Sequence, residues 1–218
     1  MDELIVRVLR TVACFARLRI LSHLVAAEEL TLSQLARELG ARRDVVSLHL
    51  ARLASAGLLV RRRSGARCYS SARSPYAEST LSGQVMVWLR EALGATPPAK
   101  HDGGRRRRSR SSPAATPAAH KTIFEAATAL THPRRLRLLR LLSDGKAATV
   151  AELSREVQMS VDAALRHVGK LVRRGYVVPC CPEPGVLAYR SALEAKTPLH
   201  ASLLDVVRRH WGGCTGST

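Results

Sequence analysis

The sequence predicts a mainly helical protein with small β-hairpins, built from one unit that is written twice. Three observations predict it. Leucines recur at helical spacing between capping and glycine signals, and the chain matches itself in register when 118 is added to each residue number. A stretch rich in Pro, Gly, Ser and Arg, without apolar periodicity, separates the two matching parts.

Residues 12 to 60 superpose on 130 to 178 without a gap, through identities such as Arg17/Arg135, Leu21/Leu139, Thr31/Thr149, Asp44/Asp162, His49/His167 and Gly57/Gly175. A register held this long marks an internal repeat. Past Val60 the second copy carries two extra residues, after which Gly65 pairs with Gly185 and Tyr69 with Tyr189. The expected organisation is therefore a first domain over residues 1–93, a disordered basic linker over 94–120 and a second domain over 121–218. As a flexible coil, about 27 linker residues span roughly 30 Å, enough for the domains to dock side by side or to occupy separate sites.

Each copy reads alike. A first helix (about Leu4 to Ala13; Lys121 to Leu130) leads into a second with an apolar stripe of Leu18, Leu21 and Leu24, or Leu136, Leu139 and Leu142. Pro133 suits a first helical position, where its missing N–H is not needed. The third helix opens with a capping box, Thr31 to Gln34 or Thr149 to Glu152, in which a hydroxyl and a reaching side chain satisfy orphan amides. A turn near Gly40-Ala41 or Gln158-Met159 precedes the fourth helix, which faces inward through Val46, Leu50 and Leu53, or Ala164, Val168 and Leu171. Gly57 and Gly175 fit left-handed helix ends. The runs Leu58-Leu59-Val60 and Cys68-Tyr69-Ser70, matched by Tyr176-Val177-Val178 and Ala188-Tyr189, predict a hairpin around Gly65 or Gly185. A last amphipathic helix closes each copy, with Leu81, Val85, Trp88 and Leu89 or Leu199, Leu203, Val206, Val207 and Trp211 inward.

Composition narrows the partners. The 218 residues carry 35 Lys and Arg against 17 Asp and Glu, a formal charge of +18, and basic residues outnumber acidic ones in both copies and in the linker. Nucleic acid or another anionic surface comes first. Aromatic residues make up 4%, thin for single-strand binding, where bases stack on exposed rings. No apolar run approaches a membrane span, charges interrupt the N-terminal apolar residues before any signal segment forms, and a cytoplasmic protein without membrane contact is expected. Five cysteines, an odd number without framework spacing, point to reduced thiols.

Two short helices joined by a tight turn and followed by a glycine-tipped hairpin predict a winged helix-turn-helix, whose later helix enters the major groove of double-stranded DNA. In the first copy Arg42, Arg43 and Ser47 are the candidate base contacts, since Arg reads guanine O6 and N7 with two N–H groups. His49 and Arg52, with Arg61, Arg62, Arg63 and Arg67 of the hairpin, are the candidate phosphate contacts. The second copy replaces Ser47 by Leu165 and has a hairpin, Pro179 to Pro184, without positive charge. Arg166, His167, Lys170, Arg173 and Arg174 still favour phosphate, so this copy is expected to bind DNA more weakly or to serve in pairing. Arg105, Arg106, Arg107, Arg108 and Arg110 of the linker can follow phosphates or a minor groove, or form a solvated, self-repelling coil. The two histidines serve equally as packing groups between helices.

The segments ARLRILSHL and LSQLARELGARRDVVSLHLARLASAGLLVRR, with HPRRLRLLRLL and VAELSREVQMSVDAALRHVGKLVRRGYVV in the second copy, resemble the ArsR/SmtB family of bacterial winged-helix regulators. Val46-Ser47-Leu48-His49-Leu50 and Ala56-Gly57-Leu58-Leu59 carry the likeness most closely. The resemblance implies a DNA-binding transcriptional regulator, usually a repressor and a homodimer paired through first and last helices, in a bacterial nucleoid. Duplication departs from the family pattern, and it implies either an intramolecular pseudo-dimer reading two unlike half-sites or a dimer of chains with four winged helices.

The family's metal-sensing Cys-x-Cys is missing from both third helices, and His200, Asp205 and His210 have the wrong spacing for its last-helix site. Cys180, Cys181 and Cys214 remain candidate thiols for a soft ion or a disulfide, beside the plainer reading of incidental cysteines. No cofactor is expected. No G-x-G-x-x-G, P-loop, G-x-S-x-G or H-E-x-x-H occurs, so no enzyme is expected. The alternative to a regulator is an architectural tandem winged-helix protein that binds DNA largely through phosphates.

Overall fold

A computed structural model describes residues 1–94, 117–192 and 195–211. The chain forms two compact units, one from Cys14 to Phe124 and the other from Met1–Ala13 together with Glu125–Thr218. Packing therefore groups the first helix with the second copy, whereas sequence similarity counts it with the first. None of the helices among the described residues is long and apolar enough to cross a membrane.

In the Cys14–Phe124 unit, α2 (Phe15–Ala27) is followed by β1 (Leu30–Thr31), α3 (Leu32–Leu39) and α4 (Arg43–Ser55). Then come β2 (Val60–Ser64), β3 (Arg67–Ser71) and α5 (Leu81–Ala92). The predicted capping box is complete: Thr31 accepts from the Gln34 amide at 3.3 Å while Gln34 accepts from the Thr31 amide at 2.8 Å. Gly40 turns the chain between α3 and α4 with φ +61°. After α4 the chain ends in a Schellman arrangement, with Gly57 at φ +69°. The Leu58 amide returns to Leu53 O and the Gly57 amide to Ala54 O, both at 3.0 Å. Leu58 and Leu59 are thus buried helix-end residues, and the predicted strand starts only at Val60.

The hairpin turns at Gly65, with Arg62 opposite Tyr69 and Arg63 opposite Cys68. Its outer edge is met by β1, so three strands form one antiparallel sheet in the order β1-β3-β2. The core gathers Leu18, Leu21, Leu35, Val46, Leu53, Leu58 and Leu89, each at most 1% exposed. The start of α6 (Pro117–Ala129) belongs here as well: Phe124 stacks on Phe15 with centroids 4.5 Å apart, and His120 Nε2 meets the buried Ser22 Oγ at 2.6 Å.

In the other unit, α1 (Asp2–Val12) packs on α7 (Pro133–Ser143). It buries Ile5, Val8, Leu9 and Val12, while Arg10 donates to Thr131 O at 3.0 Å and Asp2 pairs with Arg140 at 2.6 Å. Pro133 stands at the start of α7 as predicted. Then follow α8 (Val150–Glu156), with its capping box, α9 (Val161–Arg173), β4 (Val177–Glu183), β5 (Val186–Ser191) and α10 (Pro198–Trp211). Gln158 takes the place of Gly40 and adopts φ +52°, a left-handed backbone that a side chain makes less favourable. Gly175 repeats the helix end of Gly57, with Tyr176 N–H on Leu171 O at 3.0 Å. Where the first copy has β1, Ala148 makes a single antiparallel bridge to Tyr189.

Several histidines sit in these interiors. His200 is fully buried beside the Tyr176 ring, its Nδ1 2.8 Å from Thr197 Oγ1 and its Nε2 without a hydrogen-bond partner. Burial first, then Lys196 and Arg174 against Glu125, holds it below the ordinary imidazole value. Burial likewise lowers His120, His132 and His167. A group harder to protonate in the folded chain leaves stability intact above about pH 6.5 and withdraws it as pH falls below that value. The thermal midpoint is expected to drop between pH 7 and pH 5, before most carboxylates titrate; a midpoint constant over that interval contradicts the assignment.

Candidate nucleic-acid interface

The first copy presents α4 beside a basic hairpin. Val46, Leu50 and Leu53 face the core at 2% exposure or less, which turns the opposite side of the helix outward. Arg42 is the N-cap of α4 and Arg43 its first residue, both exposed, and Ser47 follows one turn later, half-buried. Arg42 is engaged: its Nε and Nη2 donate to the two Asp44 oxygens at 3.2 and 2.7 Å. Arg43 thus opens the helix beside a locally neutralised Arg42.

At 100° per residue, Leu48 and Arg52 lie about 200° and 240° from Val46, nearly opposite the core. Arg52 is exposed, and Leu48 and Val45 are 52% and 44% exposed. These two apolar side chains were not singled out by the sequence, although the inward stripe already implied Leu48. Apolar groups so placed suit thymine methyls.

The hairpin places Arg61, Arg63 and Arg67 in exposed positions. Strand alternation sends Arg61 and Arg63 to one face and Arg62 to the other. Arg62 is held there by a two-pronged pair with Glu29, at 2.8 and 3.4 Å, and by the Tyr69 ring 5.3 Å away. That hydrogen bond pulls the Glu29 carboxyl below its ordinary range and raises the Arg62 guanidinium. A phosphate reaching Arg62 competes with Glu29.

His49 lies half-buried on α4, its Nδ1 enclosed without a hydrogen-bond partner. Burial, then the Arg17 and Arg52 charges, lowers its pKa. In the second copy the His167 ring meets that of His132 in a tilted contact, centroids 4.6 Å apart, and His132 Nδ1 accepts from the Arg134 amide at 3.2 Å. His167 is lowered by burial first and then by His132 and nearby arginines. Both histidines sit half-buried at the edge of a cationic surface, where burial makes them harder to protonate.

The rest of the second copy differs. Val161 and Leu165, at the positions of Arg43 and Ser47, are 51% and 50% exposed. Arg166 takes the outermost position held by Leu48 and is exposed, as is Arg173. Lys170 is half-buried and lowered by burial, then by Arg174. Arg174 itself pairs with Glu125 at 3.2 Å, and Lys196 joins the same carboxylate at 2.9 Å. Cys180 is half-buried and Cys181 exposed, both as free thiols, on a strand whose register shifts between Cys180 and Glu183. Among the described residues, no group of His, Cys, Asp and Glu is arranged to hold a metal. Arg105 to Arg108, Arg110 and Cys214 lie outside the described residues.

No curated protein and no solved structure matches the chain. Residues 16–62 and 130–177 each match the helix-turn-helix domain family, covering α2 to the start of β2 in one copy and the corresponding α7 to β4 in the other. The protein therefore carries two helix-turn-helix domains in tandem.

Proposed function

We propose that the protein is a sequence-specific, double-stranded DNA-binding transcriptional regulator, a repressor of the bacterial cytoplasm, whose two copies act as an intramolecular pseudo-dimer. The observation that carries this reading is the inequality of two otherwise matching domains. The first joins an exposed, basic helix start to a hairpin with four arginines, whereas the second exposes Val161 and Leu165 and has no cation between Pro179 and Leu187. Base reading falls to Arg43 and Ser47 with Arg42 assisting, and phosphate contact to His49, Arg52, Arg61, Arg62, Arg63 and Arg67. Arg166, His167, Lys170, Arg173 and Arg174 add phosphate contacts from the second copy, those of Lys170 and Arg174 being the more enclosed. The linker arginines add a salt-dependent share. The resemblance to ArsR/SmtB regulators supports the repressor role.

The test compares two arginines on matched and random duplexes. Arg43→Ala is expected to cost about 1–3 kcal/mol on the preferred sequence and to relax specificity there. Arg62→Ala weakens all sequences alike and flattens the salt slope. Equal losses on preferred and random DNA for Arg43→Ala refute the base-reading role and favour the architectural alternative.

A further inference from the structure

A cleft of about 550 Å³ opens in the Cys14–Phe124 unit between the segment that follows β3 and one side of α5, a size typical of small-ligand sites. Two glycines let the segment beside it lie close to the backbone. A Cβ on Gly83 would lie 2.2 Å from the Ala77 carbonyl oxygen, and one on Gly57 2.5 Å from the Tyr76 ring. Residues 76–78 therefore rest directly on the backbone beneath them. The segment is tied at its start as well: the Tyr76 amide donates to Ser74 Oγ at 3.1 Å, and Arg90 Nη1 donates to Ala72 O at 3.2 Å.

The lining is divided. Tyr76 and Val87, 59% and 37% exposed, form the apolar surface over the buried Met86. An aromatic ring favours a flat, polarisable body. Four charged side chains complete the lining, and of these Arg73, Glu78 and Glu91 are exposed while Arg90 is half-buried. The least solvated charge is thus a cation with N–H groups beyond the one given to Ala72, and guanidinium matches carboxylate geometry. The +18 chain also draws anions.

We propose that this cleft binds a small aromatic carboxylate, its ring against Tyr76 and Val87 and its carboxylate on Arg90 and Arg73.

Calorimetric titration of the full chain with benzoate, and with benzylamine of the same shape and opposite charge, tests the site without DNA. The expected result is saturable one-to-one benzoate binding, at least tenfold weaker in Arg73→Gln and in Val87→Asp, and no comparable benzylamine binding. Arg90→Lys, which keeps a donor for Ala72 O, is expected to weaken benzoate without lowering the melting midpoint. Absence of saturation, equal affinity for benzylamine, or benzoate affinity unchanged in Arg73→Gln and Arg90→Lys overturns the proposal.

Discussion

Raising the salt from about 50 to 200 mM is expected to lower duplex affinity by about 10³–10⁵-fold, the loss that follows when six to ten phosphates are neutralised and their counterions released. The exposed arginines supply that number: Arg52, Arg61, Arg62, Arg63 and Arg67 from the first copy, with Arg166 and Arg173 from the second. All but Arg62 behave as diffuse charges in water until a phosphate replaces their solvent. Arg62 contributes less than its neighbours, because a phosphate must displace Glu29 from a pair at 2.8 Å. Fluorescence anisotropy with a labelled duplex across the salt range gives the slope directly. A steep slope supports the broad cationic interface; affinity that hardly changes with salt contradicts it.

Leu9→Ala is expected to destabilise the protein by about 2–5 kcal/mol, the range for removing a fully buried leucine from a packed core. Leu9 is 0% exposed on α1, the helix that packs on α7 beside the Asp2–Arg140 and Arg10–Thr131 contacts. The loss should therefore appear first in the unit built from residues 125–211, far from Leu9 in sequence. Hydrogen exchange resolves this: amides of α7 and α9 are expected to lose protection before those of α3 and α4. Protection lost only within residues 14–94 contradicts the grouping of α1 with the second copy. A chain cut to residues 1–93 would also lack Phe124 and His120, the partners of Phe15 and Ser22, and is a poor substitute for the full chain.

The legible parts of this fold are those decided by local chemistry. A threonine three residues before Gln34 or Glu152 satisfies helix-start amides wherever the helix goes, and Gly57 or Gly175 permits the left-handed turn that ends α4 or α9. Leucine spacing told the inner from the outer face of α4 and α9. Other features depend on partners distant in sequence. Leu30 and Thr31 form a strand only because Ser70 and Tyr69 offer an edge, and two residues carry no strand signal of their own. Gln158 in a left-handed turn is legible only through its alignment with Gly40. The Arg62–Glu29 pair joins residues 33 apart, and the packing of α1 joins opposite ends of the chain. At the candidate interface, residue types showed where charge lies; the structure added that Arg42, Arg62 and Arg174 are already paired, and that Leu48 faces outward.

Sequence-dependent reading of duplex DNA by the first copy is tested most directly by selection from a random duplex pool. The full chain and its Arg43→Ala variant would be selected at about 150 mM salt, where phosphate-only binding is already weakened. The account predicts an enriched motif of two unlike half-sites about one helical turn apart, one of which degenerates in Arg43→Ala while the other persists. Bound DNA without an enriched motif, or a motif identical in both proteins, would contradict it.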